Sequence, residues 1–352
     1  MKYEINEKNV KLLGRTTAYR GVCWCGLSGT GIAFSVKGTY AAVTLMGDDS
    51  TNGRVTEGPA RIGIYMNGER IMDKVLQKPE ETVTIFKGNE KRTAEIVILK
   101  LSECAMSTMG IREIETDGKI VPVPEKQRKI EFIGDSITCG FGVDMEDPET
   151  VFRTDTEDVT RAYAYKTARA LQADYSMVSY SGYGIYSGYS DTDSRSLEAR
   201  VPLYYEKCGF SYAKPFGELE LTDVIWDFKK FVPQLVVVNL GTNDDSYCRG
   251  LKEREDAYSK EYAEFLKVIR KNNPQAKMLC TLGLMGERLC PAMERAVELY
   301  RKETGDENAD YLFLREQRDE DGRVSAYHPT EKSHEKAASA LVEKIRIFME
   351  WD

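Results

Sequence analysis

Histidine is scarce in this sequence. Of the 352 residues only His328 and His334 carry an imidazole, and both lie within residues 327–334. Imidazole is the only side chain whose unperturbed pKa falls between pH 5 and 8. A neutral-pH reaction that relies on a histidine base must therefore take it from this one segment. We interpret His328 as the candidate general base, and we expect His334 in the first turns of a final helix as a packing or surface residue.

Long apolar runs and long basic runs are also missing. No apolar stretch approaches the roughly 18 residues that a membrane span needs, and residues 1–7 contain neither an apolar core nor a small-residue cleavage site. The net charge of −8, from 57 acidic and 49 basic side chains, disfavours nucleic acid as a partner. We therefore expect a cytoplasmic protein with no membrane or nucleic-acid partner.

The eight cysteines lack the spacings of metal sites and disulfide frameworks. No Cys-x-x-Cys pair occurs, and no histidine cluster accompanies the cysteines. Zinc sites and small disulfide-rich domains depend on such patterns. The sequence therefore predicts reduced thiols, no metal and no cofactor.

A serine stands where a predicted strand ends. The β-like run of residues 130–133 is followed by Gly134, Asp135 and Ser136. A serine at a strand tip can present its hydroxyl above the sheet, where a histidine from another loop can take its proton. We interpret Ser136 as the candidate nucleophile and expect Asp135 to fix the loop by accepting backbone N–H bonds.

Two further strand ends carry hydrogen-bond donors. Residues 234–240 predict a buried parallel strand that leads to Asn243, and residues 177–180 run into Gly182. A side-chain amide, or a backbone N–H that can approach closely, stabilises an oxyanion. We predict an oxyanion hole from Asn243 Nδ2 and the N–H groups of Gly182 and Ser136, with Gly184 as the second choice of backbone donor.

These four blocks resemble the signature blocks of the SGNH (GDSL-type) hydrolases. The matching residues are Ser136 in Gly-Asp-Ser-Ile-Thr, Gly182, Asn243 in Gly-Thr-Asn-Asp, and His328 in His-Pro. Residues 134–140, 181–184 and 201–205, with an all-β N-terminal region, look like carbohydrate esterase family 2. The resemblance implies a serine esterase that removes acetate from a sugar hydroxyl through an acyl-serine. Its expected substrates are acetylated manno- or xylo-oligosaccharides.

The position three residues before His328 departs from most of that superfamily. It holds Ser325, whereas the superfamily usually has the triad aspartate there. Family 2 esterases can work with a Ser–His dyad in which a backbone carbonyl orients the imidazole, so the resemblance implies a dyad. Asp319, Glu320 and Asp321 are close in sequence, although loop carboxylates are more commonly just solvated.

The hydrophobic pattern divides the chain into two domains. Residues 1–120 show short alternating strands, with Asn67-Gly68 as a hairpin signal, which predicts a β-sandwich of the jelly-roll type. The proline-containing residues 121–129 form a predicted linker. Residues 130–352 alternate strands and helices, which predicts a three-layer α/β/α hydrolase domain with a mostly parallel, doubly wound sheet.

Aromatic residues are concentrated in residues 186–226. Aromatic faces suit stacking against sugar rings, although most aromatic residues lie in cores. We expect Tyr204 and Tyr205, which the resemblance places near the site, together with Trp226, to contact substrate. Trp24 of the β-domain is a further candidate that could cover the cleft.

Two alternative functions use the same residues. A lipid or thioester hydrolase would be expected to carry an apolar acyl tunnel and to prefer longer acyl esters over acetate. A carbohydrate-binding protein with a degenerate site would bind sugar without turnover, and the absent aspartate favours this idea. Transfer of acetate between sugars is a weaker variant of the esterase function.

Overall fold

The protein is described here by a computed structural model, which covers residues 1–52, 58–145 and 147–352. The chain forms two compact units. Unit 1 contains Met1–Glu125, Arg153–Glu157 and Lys207–Trp226, and unit 2 contains Lys126–Phe152, Asp158–Glu206 and Asp227–Asp352. The main division thus falls inside the predicted linker. Two short segments from beyond it join unit 1, which a single boundary along the sequence does not describe.

Unit 1 is an antiparallel β structure. Its described residues form ten hydrogen-bonded strands. They are β1 (Lys2–Glu4), β2 (Lys11–Leu13), β3 (Thr16–Tyr19), β4 (Val22–Cys25), β5 (Gly31–Gly47), β6 (Arg61–Met66), β7 (Glu69–Val75), β8 (Glu80–Lys100), β9 (Met109–Thr116) and β10 (Lys119–Pro122). The predicted β-rich N-terminal domain is confirmed, and its jelly-roll topology stays a prediction.

The long strands β5 and β8 pair along most of their length and shift register between Gly38 and Tyr40. Side chains of alternating positions fill the core, as the sequence pattern predicts for Ile32, Phe34 and Val36, all of which are buried. The hairpin predicted at Asn67-Gly68 is present, because these two residues join β6 to β7 with positive φ angles of 53° and 88°.

Unit 2 contains a parallel sheet of five strands among its described residues. The strands are β11 (Arg128–Gly134), β12 (Ala173–Ser179), β13 (Leu235–Asn239), β14 (Lys277–Leu282) and β15 (Ala309–Phe313), in the order β12-β11-β13-β14-β15. All five correspond to strand-like runs that the sequence shows near residues 130–133, 174–180, 235–240, 277–282 and 311–314. A short antiparallel pair, β16 (Arg323–Val324) with β17 (His328–Pro329), follows the sheet.

Helices cover both faces of this sheet. They are α1 (Ser136–Cys139), α2 (Tyr163–Ala170), α3 (Thr242–Cys248), α4 (Lys252–Asn272), α5 (Cys290–Thr304) and α6 (Glu331–Met349). Helices α2 and α6 share one apolar cluster with Phe132 and Val237 of the sheet. On the other face of the sheet, the side chain of Tyr262 in α4 contacts that of Cys280 in β14. The predicted three-layer α/β/α arrangement is therefore confirmed.

The sequence carries signals for the ends of two helices, a stop at Asn272-Asn273-Pro274 and a candidate N-cap at Thr330. Before the stop, apolar and aromatic residues recur at helical spacing, and helix α4 buries all five of them and ends at Asn272: Tyr258, Tyr262, Phe265, Leu266 and Ile269. Thr330 is the N-cap of α6, since its side chain accepts the Ser333 N–H. In the part of the chain that the structure describes, no helix has the length and apolar character to cross a membrane.

Candidate active site

Three strand ends lie side by side at one edge of the parallel sheet. Gly134 of β11 is in register with Ser179 of β12 and with Asn239 of β13. Strand β12 lies on one side of β11, and the next strand along the chain, β13, lies on the other side, so the order of the sheet reverses at β11. Ligands bind in open α/β sheets outside the carboxyl ends of the strands at such a reversal. The three blocks predicted from sequence all begin at this edge.

Ser136 lies in the turn that follows β11. Asp135 caps helix α1, because its carboxylate accepts the Ile137 N–H at 3.0 Å, and Ser136 is the first helical residue. Ser136 is buried, with 4% of its surface exposed. Asp135 therefore fixes the loop in the way predicted, and the turn holds the hydroxyl of Ser136 at the sheet edge.

His328 contacts Ser136 directly. The His328 Nε2 lies 2.8 Å from Ser136 Oγ, and its Nδ1 lies 3.0 Å from the carbonyl oxygen of Ser325. A carbonyl oxygen only accepts hydrogen bonds, so the proton of the neutral ring belongs on Nδ1. Nε2 is then the free base and can accept the Ser136 proton.

The loop before His328 holds an unusual backbone. Ala326 and Tyr327 both have positive φ, at 49° and 62°, a conformation that costs a non-glycine residue free energy. The Ala326 N–H donates to the Pro148 carbonyl, and Gln317 Nε2 donates to the Tyr327 carbonyl. These bonds fix the path of the loop and so set the direction of the Ser325 carbonyl.

The imidazole of His328 lies against an aromatic pair. The centroid of the Phe141 ring is 4.4 Å from that of the imidazole, and Phe152 stacks on Phe141 at 4.0 Å with 13° between the ring planes. Burial lowers the pKa of His328 to about 4, and this effect outweighs the opposing effect of the bond to Ser325. The ring is therefore neutral at pH 7. Sequence analysis missed Phe141, whose only signal is its place between two glycines just after the nucleophile.

Asn243 lies at the start of α3 beside Asp135. Its Nδ2 donates to the Tyr183 carbonyl at 2.9 Å and to Asp135 Oδ2 at 3.3 Å. Burial raises the pKa of Asp135 to about 7. The bond to Asp135 is the longer of the two. The Nδ2–H that makes this bond is therefore the one that can be given up to an oxyanion.

The glycine block after β12 has one available donor. Gly182 has a φ of 83°, and a Cβ added there would meet no atom of the described residues within 4 Å, so a ligand can approach closely. Gly184 is excluded as the second choice because its N–H donates to the Ala199 carbonyl at 3.1 Å.

Asp244 holds the loop that follows this glycine block. It is buried, and its carboxylate accepts the N–H groups of Ile185, Tyr186 and Ser187. Burial raises the pKa of Asp244 to about 6, against the lowering effect of these bonds. Asp244 therefore anchors the loop next to Asn243, a role that sequence analysis did not assign.

Comparison with known families decides the classification. Residues 132–336, more than half of the chain, match the GDSL-like Lipase/Acylhydrolase family. The chain belongs to this family. Residues 12–124 match the Carbohydrate esterase 2 N-terminal family, so both units carry a family signature, as the resemblance in the sequence predicts.

Known relatives of this GDSL-like chain cover most of its length. It is 28% identical over 333 residues to the cellulase/esterase CelE of Acetivibrio thermocellus, and this alignment covers 93% of this chain and 38% of that protein. It is 27% identical over 285 residues to an acetylxylan esterase / glucomannan deacetylase of Cellvibrio japonicus, and this alignment covers 78% of this chain and 73% of that protein. The chain thus spans well under half of the CelE polypeptide.

Solved structures superpose on nearly all of this chain. An acetyl xylan esterase, Est2A, from the rumen bacterium Butyrivibrio proteoclasticus superposes with a TM-score of 0.89 at 25% identity and covers 100% of this chain and 99% of that one. A family two carbohydrate esterase from Clostridium thermocellum, in complex with cellohexaose, gives a TM-score of 0.82 at 26% identity and covers 97% and 100% of the two chains.

The carboxylates that precede His328 in the sequence of this GDSL-like chain form ion pairs with lysine and arginine side chains and do not bond with the imidazole. Asp321 is paired with Lys336 at 2.7 Å, Asp319 with Arg323 at 2.8 Å, and Glu320 with Arg318 at 3.3 Å. The Ser325 carbonyl is the acceptor at His328 Nδ1, as the dyad that the resemblance implies requires.

His334 is placed away from the reactive atoms. It is buried, and its Nδ1 accepts the N–H of Tyr163, whose ring is stacked parallel to it at 6.3 Å. Burial lowers the pKa of His334 to about 3. It is therefore a packing residue, one of the two roles expected for it.

Three of the four predicted substrate contacts are wrong, and two of these residues, Tyr205 and Trp24, are fully buried. Tyr205 is fully buried, and its hydroxyl bonds with Glu131 and Asn273 at 2.8 Å and 2.7 Å. Trp24 is also fully buried and packs edge-on against Phe216. Neither ring has a face that a sugar can reach, because both fill the interior of their own unit.

The other two aromatic candidates differ from each other. Trp226 is 6% exposed and lies under the guanidinium of Arg15 at 5.5 Å, so its ring face is occupied and a sugar contact there is also wrong. Tyr204 is partly exposed and lies 5.7 Å from Tyr183, the residue that accepts from Asn243. Contact of Tyr204 with substrate stays a prediction.

The described residues contain no group of three or more His, Cys, Asp or Glu side chains that could hold a metal ion. All eight cysteines are buried free thiols. Cys139, three residues after Ser136, donates to Ser179 Oγ at 3.2 Å and lies inside the unit.

Proposed function

We propose that this protein is a carbohydrate O-acetyl esterase that acts on acetylated xylo- or manno-oligosaccharides through a Ser136–His328 dyad. The observation that carries the proposal is the 2.8 Å contact from Ser136 Oγ to His328 Nε2, with Nδ1 held by the Ser325 carbonyl. Two relatives support the substrate class, since they are named acetylxylan esterase / glucomannan deacetylase and acetyl xylan esterase.

In the first half of the reaction, Ser136 Oγ attacks the acetyl carbonyl carbon while its proton moves to His328 Nε2. The carbonyl oxygen becomes an oxyanion, which accepts hydrogen bonds from Asn243 Nδ2 and from the N–H groups of Gly182 and Ser136. The bond to the sugar oxygen then breaks. The sugar leaves as the free hydroxyl compound with the proton from Nε2, and the acetyl group remains on Ser136 Oγ as an ester.

In the second half, a water molecule attacks the acetyl-serine. His328 Nε2 takes one proton from this water and returns it to Ser136 Oγ as acetic acid leaves, and the acid then ionises to acetate in solution. During both halves the imidazole carries a positive charge for a short time. The Ser325 carbonyl dipole, pointing at Nδ1, stabilises that charge in place of a carboxylate.

The test is acetate release from acetylated xylo- and manno-oligosaccharides by wild type, Ser136→Ala and His328→Ala. We expect release by wild type and a loss of at least about 10³-fold in both variants. A second arm compares 4-nitrophenyl acetate with the octanoate ester. Faster turnover of octanoate would contradict the acetyl esterase and favour a lipid or thioester hydrolase, and sugar binding without any release would favour a binding protein.

A cytoplasmic location belongs to the same proposal. Its support is that the eight cysteines are free thiols, which persist in a reducing compartment. Fractionation of the native cells followed by immunoblotting tests it, and recovery of the protein in the medium would refute it.

A further inference from the structure

The dyad has no carboxylate, so other groups must keep the imidazole in place. His328 is bonded at Nδ1 to the Ser325 carbonyl and at Nε2 to Ser136. Two hydrogen bonds at opposite ring nitrogens resist movement within the ring plane. They oppose tilting out of that plane only weakly, because a hydrogen bond tolerates such bending at little cost.

The face of the imidazole is covered by Phe141. The two ring centroids are 4.4 Å apart, and the rings are inclined by 32°. The far side of Phe141 is in turn covered by Phe152 at 4.0 Å. A flat ring that is itself stacked on another ring offers a stiff surface, in contrast to a flexible aliphatic side chain.

The backbone ties Phe141 to the nucleophile. The Phe141 N–H donates to the Ser136 carbonyl at 3.1 Å. The next residue, Gly142, approaches Ser325 so closely that an added Cβ would lie 2.8 Å from Ser325 Cβ. One short turn therefore touches the nucleophile, the base and the residue that orients the base.

We propose that Phe141, supported by Phe152, is a positioning residue that prevents the His328 imidazole from tilting away from Ser136 and keeps water from the ring face. It thereby adds the out-of-plane restraint that the two hydrogen bonds of the ring do not supply. The inference deepens the proposed esterase function and rests on it for its kinetic consequences only.

The charged groups around His328 have partners of their own. Arg323, on the strand paired with β17, forms an ion pair with Asp319, and Glu149 accepts a hydrogen bond from the Tyr327 hydroxyl. Asp135 caps α1, and His334 on α6 accepts from Tyr163. Removal of the Phe141 ring changes the water access of His328 while these groups keep their partners, so a shift in its titration reports the lost cover.

The experiment is a pH titration of the two histidines by NMR, with ¹³C at Cε1, in the full chain without substrate. We expect Phe141→Leu to raise the His328 pKa by at least about one unit toward the value of an exposed histidine, while His334 stays within about 0.3 unit of wild type. Phe141→Tyr, which keeps a flat ring, should restore the wild-type titration. Phe152→Leu should shift His328 in the same direction by less.

Phe348→Leu is the matched control, because Phe348 is also a partly exposed phenylalanine of unit 2 but lies on α6 beneath Lys277. It should leave the His328 titration unchanged. An unchanged His328 titration in both Phe141→Leu and Phe152→Leu, or an equal shift in Phe348→Leu, would overturn the inference. If Phe141→Leu does not fold, Phe152→Leu against Phe348→Leu decides it.

Steady-state kinetics provide the second readout. Phe141→Leu should lower kcat for acetate release by about 10- to 100-fold and change KM by less than about threefold, because a tilted base slows proton transfer without altering the sugar contacts. The titration does not require turnover. A protein with no esterase activity but a shifted His328 would therefore refute the proposed function alone, and an active protein with an unshifted His328 would refute this inference alone.

Discussion

The carbonyl oxygen of Ser325 accepts a hydrogen bond from Nδ1 of His328 over 3.0 Å, so a main-chain group orients the proposed base. The Ser325 side chain points elsewhere and donates from Oγ to the Thr150 carbonyl at 2.7 Å. The residue thus serves the site through its backbone and the loop through its side chain. The two roles can be separated by mutation.

We expect Ser325→Asp to weaken the enzyme instead of completing a triad. The carboxylate would be buried, since Ser325 is 2% exposed, and it would face the Thr150 carbonyl, which repels a negative charge. Acetate release should fall by at least about tenfold. Ser325→Ala keeps the carbonyl and should retain activity within about threefold. A rise of kcat in Ser325→Asp would show that a carboxylate at this position reaches the imidazole.

The pH dependence of kcat/KM should show an unusually low acid limb. The reaction needs neutral His328, and burial lowers the pKa of His328 to about 4. Activity should therefore persist through pH 5 and fall only as the pH drops through about 4, whereas an exposed histidine would lose it near 6.5. His334→Gln should leave this limb in place. A limb near 6.5 in wild type would mean that His328 is solvated in the free enzyme.

Stability should also depend on the two histidines, of which His334 is buried and His328 is partly buried. Their folded pKa values, about 4 for His328 and about 3 for His334, lie below that of an unfolded histidine. The unfolded chain therefore binds more protons below about pH 6.5. Their contribution to stability is complete above that pH and is lost as the pH falls toward 4 and then 3. Urea unfolding of wild type and His334→Gln at pH 7 and 5 measures it, and the variant should lose less stability on acidification.

Asn243→Ala should lower kcat by about 10²- to 10³-fold with little change in KM. The amide also bonds with Asp135 and the Tyr183 carbonyl, so the melting temperature must be measured alongside. A folded variant with kcat near wild type would make Asn243 a turn residue only.

Tyr205→Phe should destabilise the protein without changing its binding of substrate. The change removes the hydroxyl that bonds with Glu131 and Asn273 inside unit 2. The free energy of unfolding should fall by about 1–3 kcal/mol, as measured by urea denaturation. KM for an acetylated oligosaccharide should stay within about twofold of wild type. An increase of KM by tenfold or more in a stable variant would restore Tyr205 as a substrate contact.

The fold of unit 2 is largely predictable because its elements have strong local signals. The apolar run that became β13 is buried along its whole length, and α4 shows a clear helical period with a stop at Asn273-Pro274. The return of Lys207–Trp226 to unit 1 has no such signal, since it depends on tertiary packing between segments distant in sequence.

The site was predictable where chemistry needs a particular side chain. Ser136, Asn243 and His328 could be proposed because few residue types can act as nucleophile, amide donor or base, and the structure brings Ser136 and His328 into contact. The Ser325 carbonyl could not be located in this way, because every residue has a carbonyl. The predicted substrate contacts of Trp24 and Tyr205 were wrong for a related reason. Both residues fill cores, and the sequence alone does not distinguish an aromatic residue in a core from one in a binding cleft.

Orientation of the proposed base by the main chain changes what mutation can do to this enzyme. A triad aspartate is lost through a single codon change, but no codon at position 325 encodes a residue without a carbonyl oxygen. The orienting group is therefore immune to direct loss. It is sensitive instead to insertions and deletions in the loop, which would displace Ala326 and Tyr327 from their left-handed conformations and move the carbonyl away from Nδ1. Mutations that change the length of the loop are therefore the ones that would remove the orienting group of the proposed dyad.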